Sequence, residues 1–135
     1  MLKVTLDTNI LVSATIAKGN EFEILRQAKL GKIELILSLQ ILKEFKGVIS
    51  RPKFGFSEEQ ASNALKQMIS ISTIVAPTSK LNVIKKDLAD NRILECAEAG
   101  NVDYIVSGDH HLLNLKRYKS IKIVRAPEII KMIGD

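Results

Sequence analysis

Cysteine is nearly absent. Cys96 is the only one in 135 residues, so the chain can form no intramolecular disulfide and no thiolate metal site. That scarcity fits a reducing, cytoplasmic setting. Histidine is equally sparse: His110 and His111 are adjacent, so on a helix they diverge, and no pair at helical spacing is available for zinc. Long apolar runs are missing too. The stretch from Ile33 to Leu42 is broken by Glu34, Ser38 and Gln40, far short of the roughly 20 residues of a membrane span. Met1-Leu2-Lys3-Val4 leads directly into a strand pattern, so no signal peptide is expected. There is no glycine-rich phosphate loop of the Walker type, and no Ser/His/Asp arrangement is suggested.

What is present is apolar content, 46% of residues, enough for a core without staples; residues 1–135 are expected to form a single domain. The formal charge of +5 and an isoelectric point near 9.4 favour a polyanionic partner such as RNA. The excess is spread over scattered lysines and arginines, as on an ordinary solvated surface.

Leu2, Val4 and Leu6 alternate and end at Asp7-Thr8-Asn9, which reads as a strand feeding a helix. Helical patterns follow over Ile10–Lys18 and, after Gly19-Asn20, over Glu21–Leu30, with Phe22, Leu25 and Leu30 as the apolar side and Gly31 as the stop. Ile33–Leu37 is a second strand. Ser38 then caps a helix running to Ser50, before Pro52. Ser57 and Gln60 form a capping-box pattern for a helix to Ile69. Ile71–Val75 is a strand ended by Pro77, and Asp87 opens a helix to Ala99 that stops at Gly100. Tyr104–Val106, a short helix within Gly108–Leu115, Ile121–Val124 and a helix from Pro127 complete the chain. Strands alternating with helices predict an α/β fold, a three-layer α/β/α sandwich around a central, mainly parallel sheet. Such sheets bind ligands at the carboxyl ends of their strands.

Four acids stand out. Asp7 and Asp109 each follow a strand, where they can cap the next helix or face a site. Glu44 borders the stripe of Ile41, Phe45 and Val48, and Asp90 shares a face with Ile93, Leu94 and Ala97. Glu95 and Glu98 fall on the other face, where solvent exposure is expected. An inward carboxylate needs a partner; Arg92 or a lysine could supply a salt bridge. If all four acids converge at about 5 Å, each pair repels by roughly 3 kcal/mol at an effective dielectric of 20, and a divalent cation offsets this. Oxygen ligands suit Mg²⁺ or Mn²⁺, and such an ion activates water and neutralises charge on a phosphodiester. Asn9, Asn91 and Ser107 are candidates for orienting waters or carboxylates, with turn or cap roles as the alternative.

Leu6-Asp7-Thr8-Asn9, Glu44, Asp90-Asn91 and Ser107-Gly108-Asp109, with Val12-Ser13-Ala14, Ser50-Arg51-Pro52-Lys53-Phe54 and Ala126-Pro127-Glu128, resemble the motifs of PIN-domain ribonucleases. The order is most similar to the subfamily described as toxins of toxin–antitoxin pairs. The resemblance implies metal-dependent cleavage of RNA, a cognate antitoxin and often a homodimer. It assigns Asp7, Glu44, Asp90 and Asp109 as catalytic and metal-binding acids; Arg92, Lys116 and Arg117, among the scattered basic residues, are candidate RNA contacts. Two departures stand beside it. His111 replaces an Asp found in many members, which bears on a second metal site, and Asp87-Leu88-Ala89-Asp90 lacks a frequent Pro. A non-catalytic PIN-like module binding RNA or protein, and a metal-dependent DNA nuclease, are the alternatives.

Overall fold

The computed structural model describes residues 1–78, 80–81, 83–84 and 88–134, with backbone alone at 88 and 89. Asp87, expected to open a helix, lies outside the described residues. The elements are β1 (Leu2–Leu6), α1 (Thr8–Ile16), α2 (Asn20–Lys29), β2 (Ile33–Ser38), α3 (Leu39–Ile49), a 3-10 turn (Pro52–Phe54), α4 (Glu58–Ser70), β3 (Ser72–Val75), α5 (Leu88–Ala99), β4 (Tyr104–Val106), α6 (His110–Leu115), β5 (Arg117–Tyr118), β6 (Ile121–Val124) and α7 (Ala126–Ile133).

The sheet has the order β3-β2-β1-β4-β6-β5. All neighbouring strands are parallel except β5, which runs antiparallel to β6. From β1 the chain moves outward through β2 to β3, then returns to lay β4 against the other side of β1. Right-handed crossovers place the helices of these two excursions on opposite faces, completing the sandwich. On one face α5 packs on β1, β2 and β4; on the other α1 touches α2 and α3, α3 touches α4, and α2 touches α7. The direction changes between β1 and β4, the position where open parallel sheets leave a crevice beyond their strand ends.

Local sequence accounts for most element ends. Ser57 Oγ accepts from the Gln60 amide at 3.0 Å while the Gln60 side chain accepts from the Ser57 amide at 2.8 Å, so the capping box is complete. Ser38 Oγ accepts from the Ile41 amide. After α2, Gly31 takes φ +77°, and the Gly31 and Lys32 amides bond back to Ala28 and Gln27, a Schellman ending. α5 ends in the same way, but the left-handed residue is Asn101, at φ +50°, one position later than the glycine suggests. Gly100 is required for another reason: a Cβ there would press into Ile36 Cγ2 on β2.

The two-residue β5 escapes a periodicity argument because two residues cannot display a period. The apolar side of α2 is also rotated from expectation. Ile24, Gln27 and Ala28 are buried, whereas Phe22 and Leu30 are exposed. Phe22 and Leu25 instead line a shallow concavity shared with Ala64 and Met68 of α4. Among the described residues no helix is long and apolar enough to cross a membrane.

Two consequences of α5 packing can be measured. Gly100→Ala should destabilise the fold by about 1–3 kcal/mol, the usual range for overpacking, read by denaturant unfolding. Cys96 is buried on the sheet-facing side of α5, with its thiol against the Ile36 carbonyl of β2, and burial pushes its pKa up to about 11. It should therefore resist thiol reagents at pH 8 in the native protein and react only on unfolding.

Candidate functional site

The end of β1 is tied to the end of β4. Leu6 pairs with Val106, and the Asp7 amide donates to the Val106 carbonyl at 3.1 Å. Asp7 and Ser107 therefore leave the sheet side by side. Asp7 Oδ1 accepts the Ile10 amide at 2.9 Å, capping α1, while Oδ2 accepts the Ser107 hydroxyl. Capping and facing a site are thus not alternatives for this carboxylate; one oxygen serves each direction. Asp7 is only 4% exposed. Burial raises its pKa above the ordinary 3.8, the Asp109 charge adds to the rise, and the hydrogen bonds from Ser107, Ile10 and Gly108 oppose it.

Ser107 Oγ also accepts the Asp109 amide at 2.9 Å. Asp109 in turn caps α6 through the His111 amide at 2.9 Å. Asp90, buried in the first turn of α5, completes the convergence. One oxygen each of Asp90 and Asp109 and one ring nitrogen of His111 lie within 4.8 Å of one another, close enough to hold a metal ion. Asp7, Thr8, Asn9, Glu44, Asp90, Ile93 and Asp109 line a cavity of about 50 Å³. A larger concavity of about 580 Å³ opens beside Leu2, Tyr104 and Ile121, where the strands begin. It contains the Lys119–Glu98 ion pair but not the cluster of Asp90, Asp109 and His111.

All four acids singled out from the sequence line the small cavity. Their settings differ. Asp7 and Asp90 are buried, but Glu44, expected to face inward, is exposed at the rim, because the buried stripe of α3 runs through Ile41, Leu42, Phe45 and Ile49 and Glu44 lies beside it. Asn9 is exposed and lines the cavity. Asn91 has a different occupation: its Oδ1 accepts the Val83 and Ile84 amides, each at 2.9 Å, and its Nδ2 donates to the Ile84 carbonyl at 2.6 Å. Arg92 pairs with Glu95 at 2.8 Å and donates to the Leu81 carbonyl, leaving it half-buried rather than open to a ligand. Lys116 and Arg117 are exposed.

Glu95 overturns the expectation of solvent exposure. It is 6% exposed and accepts the Leu81 amide at 2.7 Å, because the chain at Leu81 lies against that face of α5. Glu98 is partly covered and paired with Lys119. His111, noted from the sequence only as standing where many family members have an Asp, lies beside Asp90 and Asp109. Its Nδ1 lies 3.8 Å from both Asp90 Oδ2 and Asp109 Oδ1, while His110 is largely exposed and, among the described acids, near Asp109. The two rings do not diverge as expected: their centroids lie 4.2 Å apart and each Nδ1 is 3.8 Å from Asp109 Oδ1, though only that of His111 also comes near Asp90.

Because the folded-state pKa of Asp7 is raised, the proton on its carboxyl stabilises the fold; that contribution is complete below 3.8 and is lost as pH rises through the folded pKa. In chelator, Asp7→Asn should therefore melt at a higher temperature than the parent at pH 7, with the difference closing below about pH 4, as followed by thermal unfolding.

The model of the PIN domain matches residues 3–111, a span that contains Asp7, Glu44, Asp90, Asp109 and His111. No curated protein matches the chain in sequence. Among solved structures, it is similar to VapBC2 from Rickettsia felis bound to a DNA fragment from their promoter, with TM-score 0.66, 20% identity, and coverage of 90% of this chain and 97% of that one. It is also similar to VapBC-1 from nontypeable Haemophilus influenzae, with TM-score 0.64, 16% identity, and coverage of 93% and 99%. At these identities the likeness is one of fold. With the family model spanning most of the sequence, this chain belongs to the PIN domain family.

Proposed function

We propose that the chain is a divalent-metal-dependent endoribonuclease acting as the toxin of a toxin–antitoxin pair. The observation that carries this reading is the convergence of Asp7, Glu44, Asp90 and Asp109 on one small cavity beyond the strand ends of β1 and β4. The donors fit a dication. Oxygen and nitrogen atoms of Asp90, Asp109 and His111 lie close together, and the Thr8 hydroxyl, lining the same cavity, is buried without a hydrogen-bond partner. An unsatisfied buried hydroxyl is costly unless a ligand or water meets it.

Asp90, Asp109 and Asp7 are the residues that would hold the ion, with Glu44 at the exposed rim beside them. When bound, a dication supplies a Lewis acid that lowers the pKa of a water and neutralises charge developing on a phosphodiester. Ser107 orients Asp7 and, through the Asp109 amide, the start of α6. Preorganisation of this kind removes the need for the acids to rearrange when substrate arrives.

The RNA substrate follows from the family likeness and accords with the +5 charge; exposed Lys116 and Arg117 are the proposed backbone contacts. The antitoxin partner rests on the similar structures being VapBC assemblies. A homodimer in the cytoplasm completes the reading.

Purified protein should cut RNA in Mn²⁺ or Mg²⁺, stop on chelation, and leave a matched DNA strand intact. Asp109→Asn should lower the rate by at least about a hundredfold, the usual loss for a preorganised charged or polar group. Cleavage by the variant at the parent rate would rule out this site. RNA binding without turnover would instead identify a non-catalytic module.

A further inference from the structure

His111 changes the donor set of the site. Its Nδ1 is 3.8 Å from Asp90 Oδ2 and 3.8 Å from Asp109 Oδ1, too far for hydrogen bonds. Two donors each about 2.1 Å from one ion stand roughly 3–4.2 Å apart, depending on the angle between them. Both His111 distances fall in that range, the spacing of ligands around a shared cation rather than of a directly bonded ion pair, and the three donors lie within 4.8 Å of one another.

The backbone holds the imidazole there. The His111 amide donates to Asp109 Oδ1, and the side chain is 30% exposed against 75% for His110. Independently, Thr8 is 4% exposed, and among the described residues its hydroxyl has no hydrogen-bond partner on the wall of the adjoining cavity. A ligand or water in that cavity would satisfy it.

We propose that His111 Nδ1 is a direct metal ligand, giving a mixed nitrogen and oxygen centre that selects Mn²⁺, and later first-row dications, over Mg²⁺. Imidazole is a good donor to first-row transition ions, whereas Mg²⁺ takes oxygen and keeps its waters. A neutral ring where a carboxylate could stand also removes a negative charge, and that loss falls hardest on Mg²⁺, whose binding is mainly electrostatic. The selectivity expected from the sequence alone, oxygen ligation indifferent between Mg²⁺ and Mn²⁺, is thereby replaced by a preference. This inference rests on the metal-site reading above.

The test is calorimetric titration of the metal-free full-length protein with MnCl₂ and with MgCl₂, alongside electron-spin-echo spectroscopy of the Mn²⁺ complex. The parent should bind Mn²⁺ at least about tenfold more tightly than Mg²⁺, the lower end of the effect of residues that merely support a ligand, and show nitrogen modulation. His111→Asp should abolish the modulation and reduce the Mn²⁺-to-Mg²⁺ affinity ratio at least about tenfold. Its circular dichroism should match the parent, because the capping bond uses the backbone amide. An unchanged ratio or persistent modulation in His111→Asp, while Asp109→Asn abolishes binding, overturns the role of His111 and leaves the metal site standing. If the parent binds neither ion, both readings fall.

Discussion

The parallel pairing of β1 with β4 is the constraint on which the carboxyl edge of this protein depends. Register places Leu6 beside Val106, so the next residues, Asp7 and Ser107, emerge together, and a single hydroxyl can touch both the Asp7 carboxylate and the Asp109 amide. A slip of one residue would send alternate side chains to the wrong faces. It would part the two acids as surely as deleting one of them. The same pairing directs Thr5 toward α5, where its hydroxyl meets the Ile36 carbonyl.

α5 brings the third acid, and it is held along its length. Near its start, Asn91 and Glu95 bind the backbone of Leu81, Val83 and Ile84, and Arg92 pairs with Glu95. At its end, Gly100 lies against Ile36. From Asp90 to Gly100 the helix rises about 15 Å, so the location of Asp90 is decided partly by contacts far from the cavity. These polar side chains therefore act on the site through the helix that carries it.

The sequence made the fold legible where signals are local: alternation in β1, the capping box at Ser57, the glycine after α2. Asp90 was legible because a carboxylate on an apolar helical face is anomalous in itself. Glu44 shared that signal, yet it is exposed, since it borders the buried stripe of Ile41, Phe45 and Ile49 rather than lying in it, and periodicity does not say how wide a stripe is covered. Glu95 was misread for the converse reason. Its covering segment lies 14 residues away, and no property of the helix announces it. His111 was hidden because its neighbours Asp90 and Asp109 meet only through the return of the chain from β3 to β4. Family likeness joined the four acids, but it could not say what a histidine does among them.

The cavity lined by these acids measures only about 50 Å³, whereas pockets that engulf small organic ligands run to roughly 300–1,000 Å³. It has room for an ion and little water, and none for a nucleobase. On the reading proposed above, a centre of this size would treat every phosphodiester alike. Discrimination among nucleic acids would then arise outside it, from which strands are pliable enough to bring one linkage down to the acids and from the surface that surrounds them. In such an enzyme, sequence preference and bond cleavage would be separable properties, and the first could be altered without disturbing the second.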